Sequence, residues 1–109
     1  MKRRSEKHLR ENIKCAKTGK VKARAYYELG LFHDNNAREA EAVPRYRQAL
    51  RLGLDKKRKS RALAWLASSL WKAGKPKEAL LALQRSERTA DKRLKKFLAD
   101  LKKRIGTKR

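Results

Sequence analysis

The feature that most constrains the fold is a pattern of small and large side chains that occurs twice. In the first copy the small residues are Gly30 and Ala42, and Tyr46 is one of the large ones. In the second copy Ala67 and Ala79 take the small positions, and Ala79 stands 37 positions after Ala42. Small side chains let two helix backbones approach, and large ones fill the space beside the contact. The pattern therefore predicts two similar pairs of packed helices.

Apolar residues recur at helical spacing through most of the chain, and Gly, Asn, Asp and Pro interrupt them. We treat residues 1–109 as a single domain with five parts. These parts are a basic N-terminal helix in residues 1–19, a first repeat in residues 20–54, a second repeat in residues 55–90, a helix in residues 91–105 and a tail in residues 106–109.

Breaking and capping residues mark the expected helix ends. Gly19 is expected to end the first helix, and Gly53 to end the first repeat. The polar side chains of residues 34–36 are expected to cap the second helix of that repeat, and Asp91 to cap the last helix. Pro76 suits the first turn of a helix.

Pro44 is expected inside a helix, where it removes an amide donor. A bend that wraps the helix around its neighbour is the favoured interpretation, and a functional hinge is the alternative.

Seven positions in each repeat carry the pattern. They are Tyr26, Leu29, Gly30, His33, Ala42, Tyr46 and Ala49 in the first repeat, and Leu63, Leu66, Ala67, Leu70, Ala79, Leu83 and Ser86 in the second. The pattern resembles that of the tetratricopeptide repeats, and residues 38–54 resemble the bacterial group five of these repeats in particular. The resemblance covers residues 23–86.

The resemblance implies an all-α fold of antiparallel helical hairpins, stacked as a short right-handed solenoid with flanking capping helices. It also implies a bacterial protein-interaction module that is not an enzyme. Two repeats are fewer than such arrays usually need, so helices at both ends are expected to cover them. The last helix is either a lone cap or the first half of a third repeat. Self-association through an uncapped end, which would give a homo-oligomer, is the alternative.

The first helix of each repeat has a second face, which we expect to line a concave groove. The predicted groove residues are Arg24, Tyr27, Glu28, Leu31, Arg61, Trp65, Ser68 and Lys72. Trp65 is either a partner contact or a cation–π partner of Arg61. Our leading hypothesis is that this groove binds an acidic or amphipathic segment of another protein.

The chain is strongly basic, with 33 Lys and Arg against 11 Asp and Glu and a formal net charge of +22. Such a charge attracts polyanions and opposes folding by self-repulsion. Binding to the phosphate backbone of RNA or of the ribosome is therefore the alternative hypothesis. The candidate positions are Lys2, Arg3, Arg4, Lys56, Lys57, Arg58, Lys59, Lys95, Lys96, Lys102, Lys103 and Arg104.

No catalytic, cofactor-binding or metal-binding residue is predicted. His8 and Cys15 lie two helical turns apart but make only two ligands. His33 stands where the pattern has a large packing residue, so a core or interface role is expected.

A single cysteine and the lack of an apolar leader fit the cytoplasm. No segment approaches the length of a transmembrane helix, so we expect no membrane partner.

Overall fold

A computed structural model describes residues 5–107 of the chain, all of them in α-helices or the short turns between helices. The helices are Glu6–Cys15 (α1), Gly19–Asn35 (α2), Glu39–Leu52 (α3), Lys56–Lys72 (α4), Pro76–Glu87 (α5) and Lys92–Thr107 (α6). The described residues contain no strand, which confirms the predicted all-α class. Lys2, Arg3 and Arg4 lie outside the described residues.

The chain divides after Leu54 into two compact units. This boundary coincides with the predicted boundary between the two repeats. In the first unit α2 and α3 form a hairpin, and α1 packs against α2. In the second unit α4 and α5 form a hairpin, and α6 packs against both of its helices. The short turn within each hairpin makes its two helices antiparallel neighbours.

The repeated pattern forms the core of each unit. Its members are buried, except Tyr26, which is half-buried. In the first repeat, a Cβ on Gly30 would lie 2.7 Å from Cε1 of Tyr46, so the tyrosine ring occupies the space of the absent side chain. In the second repeat, the corresponding Ala67 and Leu83 are both 0% exposed. The two units therefore fill equivalent helix contacts with different pairs of small and large residues.

The predicted helix end at Gly19 is wrong. Helix α1 already ends at Cys15, and Gly19 is the first residue of α2. Thr18 caps α2, because its hydroxyl accepts a hydrogen bond of 3.2 Å from the amide of Val21. The glycine follows a better capping residue, and it therefore begins a helix instead of ending one.

The predicted capping of α3 by the side chains of residues 34–36 is also wrong. Arg38 occupies the capping position and makes no side-chain capping hydrogen bond. Asp34 instead accepts a hydrogen bond of 2.9 Å from the hydroxyl of Tyr46. The side-chain amide of Asn36 donates to the carbonyl oxygen of Phe32, which satisfies the end of α2.

The other predicted helix ends are confirmed, with one extension. Gly53 follows α3 with a φ of 104°, and Pro76 is the first residue of α5. Asp91 caps α6 by accepting a hydrogen bond of 2.9 Å from the amide of Leu94. Helix α6 extends to Thr107, so the predicted tail begins inside a helix.

Glu6 connects α1 to the turn between α2 and α3. Its carboxylate accepts hydrogen bonds from Arg10 at 2.7 Å and from Arg38 at 3.2 Å. The hydrogen bond from Arg10 is the main reason why the pKa of Glu6 is lowered. None of the helices that the structure describes is both long and apolar enough to cross a membrane.

Candidate functional site

From Arg61 to Lys72 one side of α4 is accessible, and the other residues of this stretch as far as Leu70 are buried. Arg61 and Lys72 are exposed, and Trp65 and Ser68 between them are half-buried. Their spacing of three or four residues places all four on one side of the helix. We call these four residues the α4 stripe. The structure therefore brings the predicted groove residues of the second unit together on one surface.

Trp65 is half-buried by an aromatic contact that the helical periodicity of α4 does not predict. Its ring centroid lies 5.0 Å from that of Phe97 in α6, and the rings meet edge to face at 74°. Such a pair contributes about 0.5–1.5 kcal/mol beyond the burial of its area. Trp65 therefore helps to hold α6 on α4, and only part of its surface remains accessible.

The predicted groove residues of the first unit lie on α2 with unequal exposure. Arg24 is exposed and forms an ion pair of 3.8 Å with the carboxylate of Glu28. Leu31 is half-buried. Tyr27 is only 7% exposed, and its ring centroid lies 6.2 Å from that of Tyr46. Tyr27 thus belongs to the core, and the other three residues remain at the surface.

A cavity of about 300 Å³ lies in the second unit beside the start of α4. Three cationic side chains line it, those of Lys56, Lys57 and Arg61, together with the side chains of Asp91 and Leu94. The two lysines are predicted polyanion-binding residues, and the arginine is a predicted groove residue. The structure places both groups at one cavity.

Two hydrogen bonds hold one wall of this cavity in place. The hydroxyls of Ser60 and Thr89 are hydrogen-bonded to each other. The hydroxyl of Ser86 donates to the backbone carbonyl of Ser60 at 2.8 Å, and both of these serines are buried. The first turns of α4 are therefore fixed against the end of α5.

The remaining predicted polyanion-binding residues lie on two helices of the second unit. In the first turn of α4, Lys59 is exposed, and Arg58 is half-buried and paired with the capping residue Asp55. The five predicted cations of α6 are all exposed, namely Lys95, Lys96, Lys102, Lys103 and Arg104. These side chains make much of the surface of the second unit basic.

His33 lies in the core of the first unit. It is 0% exposed, and its Nδ1 lies 3.2 Å from Oε2 of Glu41. Burial lowers the pKa of His33, so the ring is neutral near pH 7. Leu70, which holds the same position in the second repeat, is also buried. The described residues include no cluster of three or more side chains suited to binding a metal ion.

Together these features define an all-helical protein built from repeated pairs of packed helices. A family model described as tetratrico peptide repeat matches residues 23–103, which is more than half of the chain. The chain belongs to the tetratrico peptide repeat family, which confirms the resemblance seen in the sequence. No curated protein matches the chain. Membership of this family indicates a module for protein–protein interaction.

Proposed function

We propose that the chain is a non-enzymatic interaction module that binds an acidic or amphipathic segment of another protein. The segment contacts the α4 stripe in the second unit. In the first unit the predicted groove residues that remain at the surface are Arg24, Glu28 and Leu31 on α2. Family membership supports binding of a protein, and the chemistry of these surfaces supports the acidic character of the segment.

The observation that carries this proposal is that α4 buries apolar residues on one side and presents the α4 stripe on the other. Its buried apolar residues from Ala62 to Leu70 are at most 5% exposed. On the α4 stripe, a partly accessible indole and a hydroxyl lie between two exposed cations. Aromatic and arginine side chains are the residues that contribute most to protein interfaces. A segment with both apolar and acidic residues matches such a surface.

The charge of the second unit favours an acidic partner. From position 55 onwards the sequence has 19 Lys and Arg against five Asp and Glu, a formal charge of +14. Residues 1–54 have 14 Lys and Arg against six Asp and Glu, a formal charge of +8. Complementary charges speed association and disfavour partners of the same sign.

A peptide selection tests this proposal without knowledge of the natural partner. The full-length protein is immobilised and exposed to a displayed library of random peptides at about 0.15 M NaCl, where distant charges are largely screened. We expect the enriched peptides to combine Asp or Glu with large apolar residues. Fluorescence anisotropy with synthetic copies then measures their affinity in solution.

A charge-adding variant locates the binding surface. Ser68→Glu places a carboxylate within the α4 stripe and is expected to weaken the selected peptides at least about tenfold by repulsion. Gln84→Glu adds the same charge at an exposed position of α5 and serves as the matched control, with a change below about twofold. If Ser68→Glu leaves the affinity unchanged, the α4 stripe is not the binding surface.

The basic surface supports a second candidate, which is binding to the phosphate backbone of RNA, including that of the ribosome. The exposed cations of α6 and of the first turn of α4 suit phosphates and would not read bases. The affinity for a short oligouridylate should then fall steeply between about 0.05 and 0.2 M salt. A flat salt response would exclude this candidate.

For both candidates we propose a cytoplasmic location, which suits the exposed free thiol of Cys15.

A further inference from the structure

The cavity beside the start of α4 offers a more specific anion site than the rest of the basic surface. We propose that it receives the carboxylate of an acidic side chain carried by the bound protein segment. This inference rests on the proposed function, because the segment is the one that contacts the α4 stripe. Arg61 belongs to both the stripe and the cavity lining, so a segment on the stripe lies beside the cavity.

The cations of the cavity lack acidic partners. Among the residues that the structure describes, no carboxylate forms an ion pair with Lys56, Lys57 or Arg61. Asp55, which precedes them, accepts hydrogen bonds from both the amide and the guanidinium of Arg58. The nearest capping carboxylate is therefore already engaged, and these three cations remain available to a guest.

The cavity lining itself has an excess of positive charge. Asp91 is its acidic residue, and one of its oxygens already accepts the hydrogen bond from the amide of Leu94. Three cations and one carboxylate give the lining a formal charge of +2. An acidic guest reduces this charge, and Arg61 can bind a carboxylate through two parallel hydrogen bonds.

The size and the lining of the cavity favour a whole side chain over a bare ion. Its volume of about 300 Å³ is roughly ten times the share of one water molecule in the liquid. Leu94 contributes apolar surface, which suits the methylene groups of a glutamate. The hydrogen bonds of Ser60 with Thr89 and Ser86 hold the wall in place before the guest arrives. Such preorganisation lowers the cost of binding.

The same features fit a protein segment better than RNA. Backbone phosphates are bound mainly through the number of cations that they neutralise along an extended surface. A cavity beside a helix end accepts a single terminal group, and its apolar wall adds nothing to the binding of a phosphodiester. An acidic side chain uses both the charge and the apolar wall.

Nuclear magnetic resonance of the full-length protein labelled with ¹⁵N provides the test. The probes are a blocked tetraglutamate peptide and the uncharged blocked tetraglutamine, each added at about 0.15 M NaCl. We expect tetraglutamate to shift amide signals mainly in residues 56–61 and 89–94, and tetraglutamine to leave them unchanged. Shifts spread evenly over the exposed cations of α6 would overturn the proposal.

A pair of double variants supplies the matched comparison. Lys56→Gln/Lys57→Gln removes two cations of the cavity, and we expect tetraglutamate to bind it at least about fivefold more weakly. Lys75→Gln/Lys77→Gln removes two exposed lysines at the start of α5 and is expected to change the affinity less than about twofold. Equal weakening in both variants would overturn the proposal, because it would show a general effect of net charge. Thermal unfolding checks that both variants are folded.

Two further results separate this inference from its alternatives. If a hexauridylate shifts the same amides at lower concentration than tetraglutamate does, the cavity binds nucleic acid and the proposal is wrong. The peptides selected on the full-length protein give the second comparison. If Ser68→Glu weakens them and Lys56→Gln/Lys57→Gln does not, the cavity inference fails while the proposed function stands. If no peptide can be selected, the proposed function itself fails.

Discussion

The ring of Tyr46 occupies the space that a side chain on Gly30 would need. A Cβ at that glycine would lie 2.7 Å from Cε1 and 2.8 Å from Cδ1 of the ring, which is too close for two carbon atoms. In the second repeat, Ala67 and Leu83 hold the same two positions. An aliphatic side chain in place of the ring leaves room for a methyl group. The small and the large residue at each helix contact must therefore fit each other.

We expect Gly30→Ala to lower the free energy of unfolding by about 1–3 kcal/mol. Overpacking of a closed helix contact costs this much, and it outweighs the gain of up to about 1 kcal/mol from the better helix propensity of alanine. Urea denaturation followed by circular dichroism measures the change.

Two comparisons isolate the clash. Gly106 is also helical, but its Cβ would meet no atom within 4 Å, so Gly106→Ala should be neutral or slightly stabilising. In a Tyr46→Leu background, Gly30→Ala recreates the alanine and leucine pair of the second repeat and should no longer be destabilising. An equal cost of Gly30→Ala in both backgrounds would contradict the proposed contact.

We expect Tyr46→Phe to lower the free energy of unfolding by about 1–3 kcal/mol. The tyrosine hydroxyl donates a hydrogen bond of 2.9 Å to Asp34, and bonds to charged acceptors are among the stronger ones. Burial raises the pKa of Tyr46 far above its usual value, so the hydroxyl remains a donor at every pH used for folding studies. Tyr26→Phe, at the half-buried tyrosine of α2, is the control and should change stability by less than about 0.5 kcal/mol.

We expect His33→Leu to raise the free energy of unfolding by about 1–3 kcal/mol. Nδ1 of His33 lies 3.2 Å from Oε2 of Glu41, but neither ring nitrogen makes a hydrogen bond of acceptable geometry with a described residue. An apolar side chain removes the cost of burying these nitrogens. Leu70 shows that the equivalent position of the second repeat accepts a leucine, at 1% exposure. Chemical denaturation at pH 7 measures this difference.

The stabilising effect of His33→Leu should grow as the pH falls. Burial lowers the pKa of His33 below the ordinary value of 6.5, so below pH 6.5 the unfolded chain takes up a proton that the folded chain resists. Proton uptake by the unfolded chain therefore lowers the free energy of unfolding of the wild type as the pH falls from about 7 to the folded-state pKa. The leucine variant has no group that titrates at this position and does not lose this stability. His8→Gln, at an exposed position, should retain the pH dependence of the wild type. A constant difference between wild type and His33→Leu from pH 7 to pH 5 would refute the argument.

We expect Pro44→Ala to stabilise the protein by about 1–3 kcal/mol. Helix α3 continues on both sides of this exposed proline, and alanine restores the amide that can bond to the carbonyl of Ala40. Pro76→Ala, at the first position of α5, is the control and should change stability by less than about 1 kcal/mol. If Pro44→Ala is more stable but no longer binds the selected peptides, the proline acts as a functional hinge.

The repeats were predictable because their signal lies in the size and spacing of side chains along the chain. Ala42 and Ala79 were expected at close helix contacts, and both are 0% exposed. Asp91 and Pro76 were also assigned correctly, since a cap or a first-turn proline depends on neighbours within three residues. The capping role predicted for residues 34–36 was wrong, because the carboxylate of Asp34 accepts a hydrogen bond from a tyrosine twelve positions away in the chain.

The order and composition of the residues were enough to predict the all-α class, the two helix pairs and the excess of positive charge. Three features became visible only in the folded chain: Trp65 packs on Phe97, Tyr27 lies in the core, and Arg61 shares a cavity with Lys56. The physical reason is that helical periodicity follows from neighbours in the chain, whereas burial and pairing depend on which helices meet in space.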